Sequence, residues 1–162
     1  MQKVFTDVAE VQLLECISPK RDRWAVRWNV KEEPDGVVSY MEEIIAHRPA
    51  REEVRNIITG WIDEQATAEI REGLVFDGSP VWLSIENQVN YQRDYSRAVA
   101  TNGTSLPVTV KLGTDNAPRQ LILDTVEKIT EFYEAVAAHI TTAQAKAWAA
   151  KAAIDWENYV TA

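Results

Sequence analysis

The side chains best equipped for chemistry are few and far apart along the chain. His47 stands before the first predicted helix, His139 lies late in the last one, and Cys16 is the single cysteine. A metal centre needs several His, Cys or carboxylate ligands converging on one point. Around His139 the productive i−4 position is Ala135, and Glu134, five residues back, points to another helix face. No G-x-S-x-G elbow presents a serine nucleophile, and Gly60 and Gly103 are isolated, so no glycine-rich loop cradles a phosphate. Acidic pairs recur at Glu32-Glu33, Glu42-Glu43, Glu52-Glu53 and Asp63-Glu64, without any sign that two carboxylates share a pocket. They read as solvated faces. The expectation is a non-enzymatic protein with no catalytic, cofactor-binding or metal residues.

A denser polar cluster lies in one helix-sized segment, where Asn87, Gln88, Asn90 and Gln92 sit among Tyr91 and Tyr95. Amides beside aromatics suit a sugar-binding face, a catalytic amide cluster, or the polar stitching of an ordinary core. On a helix over 85–101, Ile85, Val89 and Val99 form an apolar line expected to face inward, with Tyr95 and Ala98 on its shoulder. Glu86, Asn90, Arg93 and Arg97 form the wet face. At about 100° per residue, Gln88 falls within about 60° of the apolar line. Its amide is therefore expected to be buried and bonded to backbone of a neighbouring strand or loop, because a buried amide left unpaired is costly. Structural stitching is the preferred reading, and a ligand or partner contact the alternative.

The elements that must position these residues follow from periodicity. Residues 1–20 fit neither period and are treated as an arm. Trp24, Val26, Trp28 and Val30 alternate with polar residues as one face of a half-buried strand. Pro34-Asp35-Gly36 signals a turn, and Val37 to Met41 returns. After Pro49, a residue suited to a first helical turn, Val54, Ile57, Ile58, Trp61 and Ile62 make a helical stripe ending at Gly73. Leu74–Phe76 and Val81–Leu83 read as short strands around a 77–80 turn, and Ser84 as the cap of the 85–101 helix, closed by Asn102-Gly103. Leu106, Val108, Val110 and Leu112 alternate, a 113–118 loop follows, and Arg119–Leu123 returns. Asp124 or Thr125 caps a helix striped by Val126, Ile129, Phe132, Tyr133, Val136 and Ile140. Trp148, Trp156 and Tyr159 lie on one face of its alanine-rich continuation, which either runs on or breaks near Thr141-Thr142. The order β-β-α then β-α-β-β-α predicts an α+β fold with mainly antiparallel sheet and a long C-terminal helix. The expected divisions are an arm over 1–20, a hairpin-plus-helix lobe over 21–73 and a β-α-β-β-α domain over 74–162.

Composition narrows the partners. With 162 residues, 46% of them hydrophobic, and six tryptophans, the chain can bury a core. A formal charge of −8 argues against a nucleic-acid partner. No run approaches the ~20 apolar residues of a membrane span, and the first residues lack a signal-peptide core. A protein made and folded in a cytoplasm is expected, with Cys16 a buried, inert thiol. Trp148, Trp156 and Tyr159 suit either close helix packing within the chain or an interface between chains.

The words "DRWAVRWNV", "GLVFDGSPVWLSIENQVNY", "TNGTSLPVTVKLG" and "IDWENY", taken in order, resemble a family of uncharacterised proteins of phages and prophages of gut bacteria. The second half looks like a domain of unknown function found in phage tail and tail-fibre-associated proteins. In that domain a strand leads into a helix with an acidic-x-Gln-x-Asn pattern, here Glu86, Gln88 and Asn90. The resemblance spans roughly residues 20–160 and brings no catalytic residue with it. It implies a virion or virion-assembly protein, made in the host cytoplasm, whose partners are other virion proteins and itself. A tail-fibre chaperone and a host-glycan-binding module are the alternatives.

Overall fold

A computed structural model describes residues 1–8 and 10–159. The chain divides into two compact units, Met1–Trp61 with Ala153–Ala162, and Ile62–Ala152. The fold is α+β with antiparallel pairing throughout the described strands.

The first unit is built on a four-stranded sheet of β1 (Gln2–Thr6), β2 (Leu14–Ser18), β3 (Arg23–Glu32) and β4 (Val38–Ile45), in the order β1-β4-β3-β2. The expected hairpin is its centre. The arm expected over 1–20 is instead its two edges, with β1 paired to β4 and β2 to β3. Leu14 accordingly lies in the core of its own chain. Trp28 and Val26 point inward as the alternation predicts, but Val30 is exposed. The reason is local. Asn29 adopts a left-handed φ of 54°, and the β3–β4 register slips between Trp28 and Lys31. One extra residue in a strand turns every later side chain to the opposite face.

Helix α1 (Arg51–Glu72) begins just after Pro49 and buries Val54, Ile58 and Ile62 at i, i+4 and i+8. In the first unit Trp61 meets the buried Trp28 edge-on, with ring centroids 6.1 Å apart. The helix stops at Gly73 as expected, and the Gly73 N–H donates to the Glu69 carbonyl at 2.8 Å. A Cβ at that position would press on the same oxygen.

The second unit is assembled from β5 (Val75–Phe76), β6 (Ser79–Pro80), α2 (Ile85–Ala100), β7 (Val108–Thr114), β8 (Ala117–Leu123) and α3 (Val126–Ala152). Asp77 and Gly78 both take positive φ, 48° and 71°. That pair is the two-residue turn whose twist matches flanking strands, so the turn is tighter than the expected 77–80. Val81–Leu83, read from sequence as a strand, has none. The Val81 N–H goes to the Leu74 carbonyl and the Leu83 N–H to the Arg71 carbonyl, each at 2.8 Å. β7 and β8 also run closer together than the expected 113–118 loop, pairing through Thr114 and Ala117.

Ser84 caps α2, its Oγ accepting the Asn87 N–H at 3.2 Å, and Thr125 caps α3 by accepting the Lys128 N–H. Helix α3 passes Thr141-Thr142 without a break. It ends at Ala152, so Trp156 and Tyr159 lie in a separate 3-10 turn and do not extend its face. The core of this unit gathers Leu83, Ala98, Val110, Leu112, Leu123, Ile129, Phe132 and Val136. Deleting a buried side chain of Phe132's size costs about 3–5 kcal/mol.

Candidate functional site

The buried face of α2 is not the one its aliphatic residues mark. Ile85, Val89 and Val99 are 82%, 59% and 49% exposed, while Ala98 is sealed and Tyr91 and Tyr95 are half-buried. The aromatic residues settle the orientation. Tyr91 packs edge-on to Phe132 of α3 at 5.0 Å, and Tyr95 stacks flat on Tyr133 at 4.4 Å. Two rings, with the core Ala98 one turn beyond them, bury more area than three aliphatic side chains, and aromatic pairs add about 0.5–1.5 kcal/mol beyond area. The helix therefore has three faces: aromatic inside, charged outside, and an aliphatic stripe left in solvent.

Beside the aromatic face lies a cleft of about 760 Å³. The end of α1, residues 80–82, α2 and β7 enclose it, and it is lined in part by Glu72, Trp82, Asn87, Asn90, Tyr91 and Thr109. Trp82 is half exposed, and the Arg71 guanidinium sits over its ring at 5.1 Å while bonding Glu72 at 2.7 Å. Asn87 donates its side-chain amide to the Trp82 carbonyl at 2.9 Å. Asn90, by contrast, makes no hydrogen bond among the described residues, nor does the Tyr91 hydroxyl. Burial alone raises the Tyr91 pKa above its ordinary value. The cleft's cations are matched at home, Arg93 to Asp94 at 3.0 Å and Lys111 to Asp115 at 2.9 Å. Hydrogen bonding to Lys111 and its charge hold Asp115 below the usual carboxylate range.

The other residues singled out from sequence are dispersed. Glu86, Arg93 and Arg97 are exposed, as expected. Gln88 is half-buried, and its Nε2 donates to the Leu83 carbonyl at 2.8 Å, a loop-backbone bond of the expected kind made to the residue just before its own helix cap. Trp148 is 67% exposed and belongs to the second unit. Trp156 and Tyr159 belong to the first, where Arg55 covers the Trp156 ring at 4.9 Å. The buried Tyr159 donates its hydroxyl to the Arg27 carbonyl at 2.9 Å, and burial pushes that hydroxyl up to about 12.

Two features escaped the sequence reading. Arg27, placed there on the polar side of a strand, is mostly buried and bonds Glu15 at 2.6 Å and Glu42 at 2.8 Å. Burial pulls its pKa down, but hydrogen bonds and charge from the two carboxylates more than offset this and leave it raised. Glu42 itself is buried, so this pair locks β3 to β4 at Arg27↔Glu42. The other is Trp82, whose place in the cleft was hidden by reading 81–83 as a strand; the tight Asp77-Gly78 turn was the signal that could have corrected it. His47 bonds Glu53 at 2.9 Å, and His139 bonds the Glu69 carbonyl at 2.9 Å. Among the described residues no three His, Cys, Asp or Glu side chains converge as a metal site would require, and no helix is long and apolar enough to cross a membrane.

A domain of unknown function, DUF4376, matches residues 49–162, from just before α1 through the last residue, of which 160–162 lie outside the described residues. The chain belongs to that family. No curated protein and no solved structure matches it.

Proposed function

We propose that this is a non-enzymatic structural or accessory protein of a phage particle, of the tail or its fibres, that works by assembling with copies of itself and with other virion proteins. The observation that carries the assembly reading is the outward aliphatic stripe of α2. Ile85, Val89 and Val99 stand at i, i+4 and i+14 of one stripe whose i+7 and i+11 positions are Gln92 and Ser96, a seam apolar at its two ends and polar at its middle that can meet another helix. A second copy is the partner argued for. Laid antiparallel, two such helices place Glu86 of each near Arg97 of the other, so the flanking charges complement. The phage assignment rests on the resemblance of the "GLVFDGSPVWLSIENQVNY" and neighbouring words. The acidic balance disfavours nucleic acid as a partner, and membrane insertion is not part of the role.

Mass spectrometry of purified particles tests the virion reading. Stoichiometric presence is expected; presence in the lysate with absence from particles would instead make the protein a transient assembly chaperone. Sedimentation of the purified chain tests the stripe. A dimer that the double substitution V89S/V99S returns to monomer is expected, and a monomer at high concentration would remove the stripe's proposed role.

A further inference from the structure

We propose that the cleft of the second unit is a binding site for a neutral, hydroxyl-rich ligand, a short carbohydrate chain. The polar groups facing it are of two kinds. The charged ones are already spent, since Arg93 is held by Asp94, Lys111 by Asp115, and Glu72 by Arg71. Among the described residues lining it, each cation has an acidic partner, and the lining charges of Glu72, Asp94 and Asp115 against Arg93 and Lys111 sum to −1. The neutral groups are the ones left open: the Asn90 amide and the Tyr91 hydroxyl have no hydrogen-bond partner among the described residues, although both are half-buried. Neither is among the buried polar atoms without a partner, so water can reach both, and a ligand can bond them by displacing that water.

Trp82 supplies the remaining requirement. A sugar ring presents apolar C–H faces and polar edges, so it is recognised by an aromatic platform ringed with neutral donors and acceptors. Arg71 over its ring fixes the indole, and the Asn87 bond fixes the backbone beneath it. The platform is therefore held before any ligand arrives, which lowers the ordering cost of binding. At about 760 Å³ the cleft is within the range of small-ligand sites. The site is independent of the assembly role. At about 100° per residue, Asn87, Asn90, Tyr91 and Asp94 lie on the side of α2 away from Ile85, Val89 and Val99, so ligand and protein partner can be held at once.

The test is a printed array carrying neutral and acidic oligosaccharides of bacterial surfaces, probed with the full chain, followed by calorimetric titration of the best-bound sugar. Retention of neutral members is expected. Trp82→Ala should weaken binding by about tenfold or more, as truncating a central aromatic anchor does, and Asn90→Ala by about fivefold. Trp148→Ala, an exposed tryptophan outside the cleft, should leave binding unchanged. Each variant is checked for an unaltered urea midpoint, and Asn90→Ala serves if Trp82→Ala fails to fold. Retention of no neutral glycan, a preference for acidic or phosphorylated members, or affinity untouched by both cleft variants would each overturn the proposal.

Discussion

Helices α2 and α3 pack on one another, yet they treat their apolar residues in opposite ways. On α3 the regular stripe of Ile129, Phe132 and Val136 goes inside. On α2 the line of Ile85, Val89 and Val99, interrupted by Gln92 and Ser96, goes outside, and Tyr91, Tyr95 and Ala98 take its place. Periodicity shows which residues share a face; it does not show which face is inside. Where an aromatic face competes with an aliphatic one, the larger area and the ring contacts of the aromatic face win. The aliphatic face is then free for another use.

The contrast can be broken by substitution. The largest effect is expected at Phe132, which meets both Tyr91 and Phe76 edge-on, at 5.0 and 5.2 Å. Phe132→Ala should lower the unfolding free energy by about 3–5 kcal/mol in urea titration; a loss below about 1 kcal/mol would mean the rings do not anchor α2. Next comes Gln88→Leu, which keeps the volume but leaves the Leu83 carbonyl without its donor, at a cost of about 1 kcal/mol. An unchanged urea midpoint with loss of a partner would reassign that amide to an interface.

A smaller effect is expected from pH. Tyr91 has a folded pKa raised above 10.0 by burial. The folded state therefore holds its proton more tightly than the unfolded chain, and this contribution is complete below pH 10.0 and declines as pH rises through the folded pKa. Tyr91→Phe should make the alkaline fall of the urea midpoint shallower, with Tyr159 still contributing the fall expected between 10.0 and about 12. An unchanged slope would place Tyr91 in water and the aromatic face with it. Smallest of all, Val89→Ser should change monomer stability by no more than about 0.5 kcal/mol, because the side chain is already in solvent. A loss of 2 kcal/mol or more, of the order expected for a core position, would restore the inward aliphatic face.

Much of the fold was legible before any coordinates. Strand β7, the caps at Ser84 and Thr125, the stop at Gly73 and the stripe of α3 each depend on local signals that tertiary context did not override. Three things were not legible, each for a physical reason. The edge strands β1 and β2 carry no clean alternation because only part of each is covered. Val30 was turned outward by a bulge at Asn29, which leaves no compositional mark. The orientation of α2 depended on Phe132 and Tyr133, more than thirty residues away in sequence. Of the candidate residues, Gln88 was placed near its true role, and Asn90 was assigned to a wet face that proves to be the side of a cleft.

The segment between α1 and α2 has an opening behaviour that follows from its bonds. Residues 81–84 form neither helix nor ladder, yet the Leu83 N–H is donated to Arg71 at the end of α1, and the Leu83 and Trp82 carbonyls accept the side-chain amides of Gln88 and Asn87 in the first turn of α2. His139 of α3 donates to the Glu69 carbonyl that also receives the Gly73 N–H. In hydrogen–deuterium exchange such a segment does not behave as a surface loop. The Leu83 amide is expected to exchange only when the last turn of α1 releases it, and the Val81 amide when its bond to the Leu74 carbonyl opens, so a stretch without regular structure is expected to exchange more slowly than an open loop.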